Sequence, residues 1–228
     1  MNQDNNPKHI AIVLDGNRRF AKKHGMPKLK GHEKGYNKIN DVLKWCIGLG
    51  IKEVTLYCLS TENFERSKEE VDYLFSLFRS RIGDFKKDKA IHGNKVRISF
   101  VGRLSMFPKD MQSSMQEVME ATKDYNNYKL NLALAYGSRS EIADAFKKII
   151  KKGIKEIDEN TIQENLYVPD DVDILIRPGG EKRLSNFLLW QNSYAEIFFI
   201  DKLWPEFEKE DLIKIIEEFK SRERRFGK

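Results

Sequence analysis

The stretch HIAIVLDGNRR, residues 9–19, decides how this chain is read. Its first half, HIAIVL, is an unbroken run of strand formers, and Asp15-Gly16 closes it with a turn that opens onto a helix start. A strand apolar on both faces is covered on both, the habit of parallel sheets. The same cadence recurs in EVTLYCL (53–59), VRISFV (96–101), LNLALA (130–135), VDILI (172–176) and EIFFI (196–200). Between these runs, residues 31–50, 68–91, 108–125, 138–152 and 184–191 read as helices, and 209–222 closes the chain as another. Strands alternating with helices of that length need crossover connections. The expected fold is α/β, a mostly parallel six-stranded sheet flanked by helices. It forms a single domain over residues 1–228, led by a polar flexible segment, 1–8.

The composition limits what such a domain does. With 41 Lys+Arg against 35 Asp+Glu, the 228-residue chain carries +6, a mild excess that favours anionic partners without choosing among them. No apolar run approaches the roughly 20 residues of a membrane span, and residues 1–8 are too polar for a secretory leader, so a cytoplasmic protein is expected. Cys46 and Cys58 lie inside apolar segments, which argues against a disulfide framework or a cysteine metal site. The basic run 147–155 reads as a solvated helix end. Apolar stripes at helical spacing in 31–50 and 68–91 are either ordinary core or the walls of a channel for an apolar ligand.

In an open parallel sheet, ligands bind beyond the carboxyl ends of the strands. Residues there are Asp15-Gly16-Asn17-Arg18-Arg19, then Ser60-Thr61-Glu62-Asn63-Phe64-Glu65-Arg66, Gly102-Arg103, Tyr136-Gly137-Ser138-Arg139 and Arg177 to Ser185. Carboxylates, glycines, hydroxyls and arginines recur in that set, the makings of an anion site. Asp15 either caps a helix or bridges a divalent cation to a phosphate. Arg18 and Arg19 weigh toward the second, since guanidinium forks are the usual partners of diphosphate. In the last loop, Arg177, Lys182 and Arg183 flank two glycines, with Ser185 at the next helix start: either a turn with solvated charges or a second phosphate site. His32 sits where an imidazole can reach phosphate. Serine-hydrolase elbows, zinc motifs, phosphate loops and dinucleotide fingerprints are absent.

Taken together, HIAIVLDGNRRFAKKHG (9–25), GHEKG (31–35), TLYCLSTENFERS (55–67), IRPGGEKRLSNFLLWQ (176–191), YAEIFF (194–199) and SRERRFG (221–227) resemble the cis-prenyltransferase family, in its order and spacing and over nearly the whole chain. The resemblance implies an enzyme that joins an allylic diphosphate, farnesyl or geranylgeranyl, to successive isopentenyl diphosphates. It builds a long polyprenyl diphosphate for a lipid glycosyl carrier and releases pyrophosphate with Mg²⁺ as cofactor. It implies that Asp15 positions the metal, with Glu196 sharing it. Gly16, Asn17, Arg18 and Arg19 cradle the allylic diphosphate with Lys28, His32 and Arg66, and Phe20 and Phe64 lie at the prenyl group. Arg177, Arg183, Leu184 and Ser185 hold isopentenyl diphosphate. Ser60, Thr61, Glu62 and Asn63 match the segment for substrate contact and proton removal. An amide is a poor base, so Asn63 is expected to position whatever takes the proton. The resemblance also implies an apolar channel between the sheet and two long helices, and a homodimer whose tail, 221–228, reaches the partner. The product would associate with membrane, and the enzyme with the cytoplasm or a membrane surface.

Arg18 stands where the commonest bacterial pattern has Gly, Phe20 and Phe64 where it has Trp, Lys28 for Arg and Pro178 for Thr. These departures resemble the archaeal-type branch, associated with geranylgeranyl diphosphate. Two rival readings remain: a silent partner subunit of a heteromeric prenyltransferase, which the intact acid and basic residues oppose, and a nucleic-acid-binding domain. For the latter the sequence offers neither a basic helix nor an aromatic platform, so no nucleic acid is expected.

Overall fold

The computed structural model describes residues 6–223. Strands β1 (His9–Val13), β2 (Glu53–Ser60), β3 (Val96–Val101), β4 (Tyr128–Tyr136), β5 (Ile174–Pro178) and β6 (Glu196–Ile200) form one sheet in the order β3-β4-β2-β1-β5-β6. Every neighbouring pair is parallel. The helices are α1 (Asn17–Lys23), α2 (Lys28–Gly48), α3 (Lys68–Ile82), α4 (Lys89–Asn94), α5 (Lys109–Ala121), α6 (Ser138–Lys151), α7 (Glu159–Asn165) and α8 (Lys209–Ser221). Side chains alternate across β1: Ile10 and Ile12 join the larger core with α2, α3, α5 and α8, while Ala11 and Val13 face Tyr57, Tyr136 and Phe187. Both faces are covered, as the apolar strands required. No described helix is long and apolar enough to cross a membrane.

Two helical expectations fail. Residues 68–91 are not one helix: α3 ends at Ile82, a 3-10 turn spans Gly83–Lys86, and Asp88 caps α4 by accepting from the amides of Ala90 and Ile91. The apolar stripe survives the break because Phe85 and Ile91 remain buried. Residues 184–191 form turns, with Ser185, Asn186 and Leu188 at φ of 50°, 62° and 45°. Leu184, Phe187 and Leu188 carry helical spacing yet serve as packing points, with Phe187 stacked on Tyr57 at 4.4 Å.

A polar network lies at the amino edge of the sheet. His9 Nε2 is 2.7 Å from Thr55 Oγ1, and its Nδ1 is 2.9 Å from the Asp171 carbonyl. Asn131 donates to Thr55 Oγ1 and to Glu53. Burial, outweighing the attraction of Glu53, holds His9 below its usual range and therefore neutral at pH 7. Its stabilising share is present above about pH 6.5 and is lost as acid protonates the unfolded chain preferentially. Thr55→Val strands both neighbours and should cost about 1–3 kcal/mol. A lower denaturant midpoint at unchanged slope would show it.

Candidate active site

The carboxyl ends of β1, β2 and β5 open into a cavity of about 710 Å³. Gly16, at φ 103°, turns the chain from β1 into α1, and Leu203 packs so closely on it that a Cβ would lie 2.9 Å from Leu203 Cδ2. The Trp204 amide donates to the Asp15 carbonyl at 2.9 Å and its indole to the Gly35 carbonyl at 2.7 Å, so one residue anchors both the loop and α2. α1 lies directly on α2: Gly31 faces the Asn17 carbonyl and Gly35 the Asn17 side chain. That contact fixes Arg18 and Arg19 at the cavity mouth.

Two acids organise the basic groups. Asp15 Oδ1 accepts from Arg19 Nη2 at 3.1 Å and Oδ2 from Arg177 Nη2 at 3.0 Å. Partial burial works against its charge, but Arg177 and Arg19 outweigh it and hold Asp15 below the usual carboxylate range. Buried Arg177 also donates to Ser185 Oγ at 2.8 Å and to the Arg183 carbonyl, while its Nε has no protein partner. The second acid is Glu70, which the sequence reading passed over. Lys28, Arg66, Arg18 and His32 gather around it. Its signal was present: Glu70 shares a helix face with Leu74, Phe78 and Ile82 by steps of four. An acid on an apolar stripe calls for a partner.

Opposite Asp15, the 3-10 turn Thr61–Glu65 is tied by the Ser60 amide donating to Asn63 Oδ1 at 3.1 Å. Asn186, also unforeseen, donates to Glu62 at 3.3 Å and accepts from the Arg139 amide at 3.0 Å, so it joins three strand-end loops. Its φ of 62° suits an asparagine in a turn.

Of the expected residues, Asp15, Gly16, Asn17, Arg18, Arg19, His32, Ser60, Glu62, Asn63, Arg66, Arg177, Arg183 and Ser185 line the cavity. Thr61 stands just behind it, donating to Glu62. Lys28 joins through Glu70. Phe20 stacks on His24 at 4.1 Å, Phe64 packs on Phe75 and Phe107, and Leu184 packs against the smaller core, so none of these three is on the cavity wall. Glu196 does not meet Asp15 within one chain. It begins β6 in register with Ile174 and Ile10, about 16 Å of strand from Asp15, and pairs with Arg222. The amides of Gly179 and Gly180 are taken by the carbonyls of Lys202 and Ile200, so that turn offers no free amide cradle. His32 is the fifth residue of α2, which begins at Lys28, and Ser185 lies on a left-handed turn, not at a helix start. Arg225, Phe226 and Gly227, expected to reach a partner, lie outside the described residues.

Cys58 lines both this cavity and a narrow apolar gap beneath it, bounded by Tyr36 and Ile39 of α2, Phe78 and Ile82 of α3, and Phe100 and Leu132 of the sheet. The gap lies where the channel was expected, between the sheet and the two helices. Its free volume is about 10 Å³, too little for a chain of methylenes in this conformation.

Among the described residues no group of three His, Cys, Asp or Glu side chains converges to hold a metal. Asp15 presents a carboxylate to the cavity that Arg177 and Arg19 hold ionised, and Glu62 and Glu181 also line the wall. That donor set fits a hard cation that draws its remaining ligands from substrate phosphates.

Residues 13–227 match the Prenyltransf family model, described as undecaprenyl diphosphate synthase. A protein of Pyrococcus horikoshii, named tritrans,polycis-undecaprenyl-diphosphate synthase (geranylgeranyl-diphosphate specific), is 51% identical over 97% of this chain and 87% of its own length. One of the same name from Methanocaldococcus jannaschii is 43% identical over 100% of this chain and 85% of its own. The crystal structure of lavandulyl diphosphate synthase from Lavandula x intermedia, in complex with dimethylallyl diphosphate, superposes with a TM-score of 0.92 at 33% identity. It covers 99% of this chain and 100% of that one. With a basic cavity beyond the β1 carboxyl end and an apolar gap leading from it, the chain belongs to the cis-prenyltransferase family of undecaprenyl diphosphate synthases, in the branch represented by these archaeal relatives.

Proposed function

We propose that this enzyme condenses geranylgeranyl diphosphate with successive isopentenyl diphosphates into a long polyprenyl diphosphate for a lipid glycosyl carrier. The observation that carries the reading is the pairing of two acid-centred cation clusters in one cavity whose floor continues into an apolar gap. Two diphosphates need two sets of cations, and a growing hydrocarbon needs shelter. The geranylgeranyl preference is supported by the archaeal relatives, whose names specify geranylgeranyl diphosphate.

Arg18, Arg66, Lys28 and neutral His32 bind the allylic diphosphate, while Arg177, Arg183 and Ser185 bind and orient the isopentenyl one. Burial, opposed by Glu70 and reinforced by Arg66 and Arg18, keeps the His32 imidazole below its usual range, so it serves as a hydrogen-bond group and not a charge. Asp15 would hold a divalent cation such as Mg²⁺, which when bound neutralises charge on the leaving diphosphate. As the allylic carbon–oxygen bond breaks, the isopentenyl double bond supplies the electrons for the new carbon–carbon bond, and a proton leaves its C2. Asn63 Oδ1 is already occupied by the Ser60 amide, so Asn63 offers its NH₂ to fix a water or diphosphate oxygen that accepts this proton. Each five-carbon unit that enters the gap gains about 4 kcal/mol, at roughly 0.8 kcal/mol per carbon. Exposed Tyr194 beside the edge strand β6, and Phe199 on it, support a homodimer.

The test supplies purified protein and labelled isopentenyl diphosphate with geranyl, farnesyl or geranylgeranyl diphosphate and sizes the products. Geranylgeranyl diphosphate should give the highest kcat/KM and a long cis-polyprenyl ladder. No incorporation from any of the three would leave the silent-subunit reading standing.

A further inference from the structure

We propose that Glu70 is a positioning residue that holds the allylic-diphosphate ligands in place before substrate arrives, an inference that rests on the function proposed above. Glu70 is 2% exposed and sits in the first turn of α3, behind the cavity wall and not on it. Its Oε1 lies 2.8 Å from Arg66 Nη1 and 3.3 Å from His32 Nε2. Its Oε2 lies 2.5 Å from Lys28 Nζ and 3.8 Å from Arg18 Nη1. One carboxylate thus gathers groups from α1, α2 and the segment entering α3. Burial disfavours its charge, but Lys28, Arg66 and Arg18 prevail and hold Glu70 below the usual carboxylate range.

Charge balance argues against a purely structural knot. One anion surrounded by three formal cations leaves an excess of two positive charges beside the cavity, and a single partner would have served to neutralise a buried acid. Such an excess costs stability unless an anion arrives to balance it, and an allylic diphosphate is that anion. Lys28 and Arg18 are long and half-exposed, so without Glu70 they would sample many rotamers. The contrast with Asp15 separates the roles: Asp15 opens to the cavity and can touch substrate or metal, whereas Glu70 reaches the reacting groups only through others. Its effect is therefore confined to one of the two diphosphates.

The experiment measures steady-state constants for both substrates in wild type, Glu70→Gln and Glu70→Asp. Glu70→Gln keeps the shape and removes the charge. KM for the allylic diphosphate should rise by roughly 10- to 100-fold while KM for isopentenyl diphosphate moves less than about twofold. Glu70→Asp, which restores the charge one methylene short, should recover part of the loss. If Glu70→Gln does not accumulate folded, Glu70→Asp alone carries the test through the same split. A fall in thermal stability with both KM values unchanged, or an equal rise in both, overturns the proposal. Wild type that fails to incorporate isopentenyl diphosphate overturns the function beneath it, a separate outcome.

Discussion

Asp15→Ala should abolish condensation, lowering kcat by about 10³-fold or more while the protein remains folded. The carboxylate holds two guanidiniums at fixed positions, Arg19 at 3.1 Å and Arg177 at 3.0 Å, and it is the ionised oxygen donor facing the cavity from the β1 end. Its loss removes the carboxylate that would hold the cation and leaves Arg19 bound only to the Gly179 carbonyl, 2.6 Å away, with Glu181 Oε1 at 3.9 Å. Arg177, by contrast, stays pinned by Ser185 and the Arg183 carbonyl, so binding of isopentenyl diphosphate should weaken far less than turnover. Asp15→Asn separates charge from shape, since it keeps the volume but cannot neutralise a cation. The pH dependence has a definite sign. Because Arg177 and Arg19 hold Asp15 ionised below the usual carboxylate range, activity that depends on its charge persists through mildly acidic pH. Single-turnover incorporation of labelled isopentenyl diphosphate, set beside a thermal melt, checks all of this. Near-normal turnover of Asp15→Ala would refute the assignment.

Gly31→Ala should lower stability and turnover together. A Cβ there would stand 2.0 Å from the Asn17 carbonyl oxygen, and one at Gly35 would stand 2.1 Å from Asn17 Oδ1. Backbone cannot yield as a flexible side chain does, so α1 must move off α2, carrying Arg18 and Arg19 with it. Overpacking of this kind costs about 1–3 kcal/mol or more. A displacement near 1 Å at the diphosphate ligands costs about 10²-fold in rate. Gly48→Ala is the control. It lies in the same helix with nothing within 4 Å and should gain up to about 1 kcal/mol in helix propensity. Melting temperature and kcat/KM should fall together for Gly31→Ala, and neither should fall for Gly48→Ala.

The strands were legible because each is a short apolar run closed by a polar turn, and the sheet's parallel order followed from the helices between them. What misled was spacing without backbone context. Leu184, Phe187 and Leu188 recur at helical intervals, yet positive φ at Ser185, Asn186 and Leu188 forbids a helix. Residues 68–91 keep one apolar face through a break at Gly83, because burial and hydrogen-bonding pattern are set separately. Most of the site was legible as chemistry at strand ends. Glu70 was passed over despite its place on an apolar stripe, since an acid in the first turn of a helix reads as a solvated dipole partner until its neighbours are known. Glu196 was matched by motif, but parallel register puts it at the far end of its strand.

Arg177 and Asp15 lie 162 positions apart along the polypeptide. During synthesis the loop after the first strand therefore leaves the ribosome long before its buried guanidinium exists. A truncated translation product that stops short of the fifth strand keeps Arg19 beside Asp15 but lacks the second, buried guanidinium. The full pair of guanidiniums on Asp15 thus assembles only after more than three-quarters of the polymer has been made.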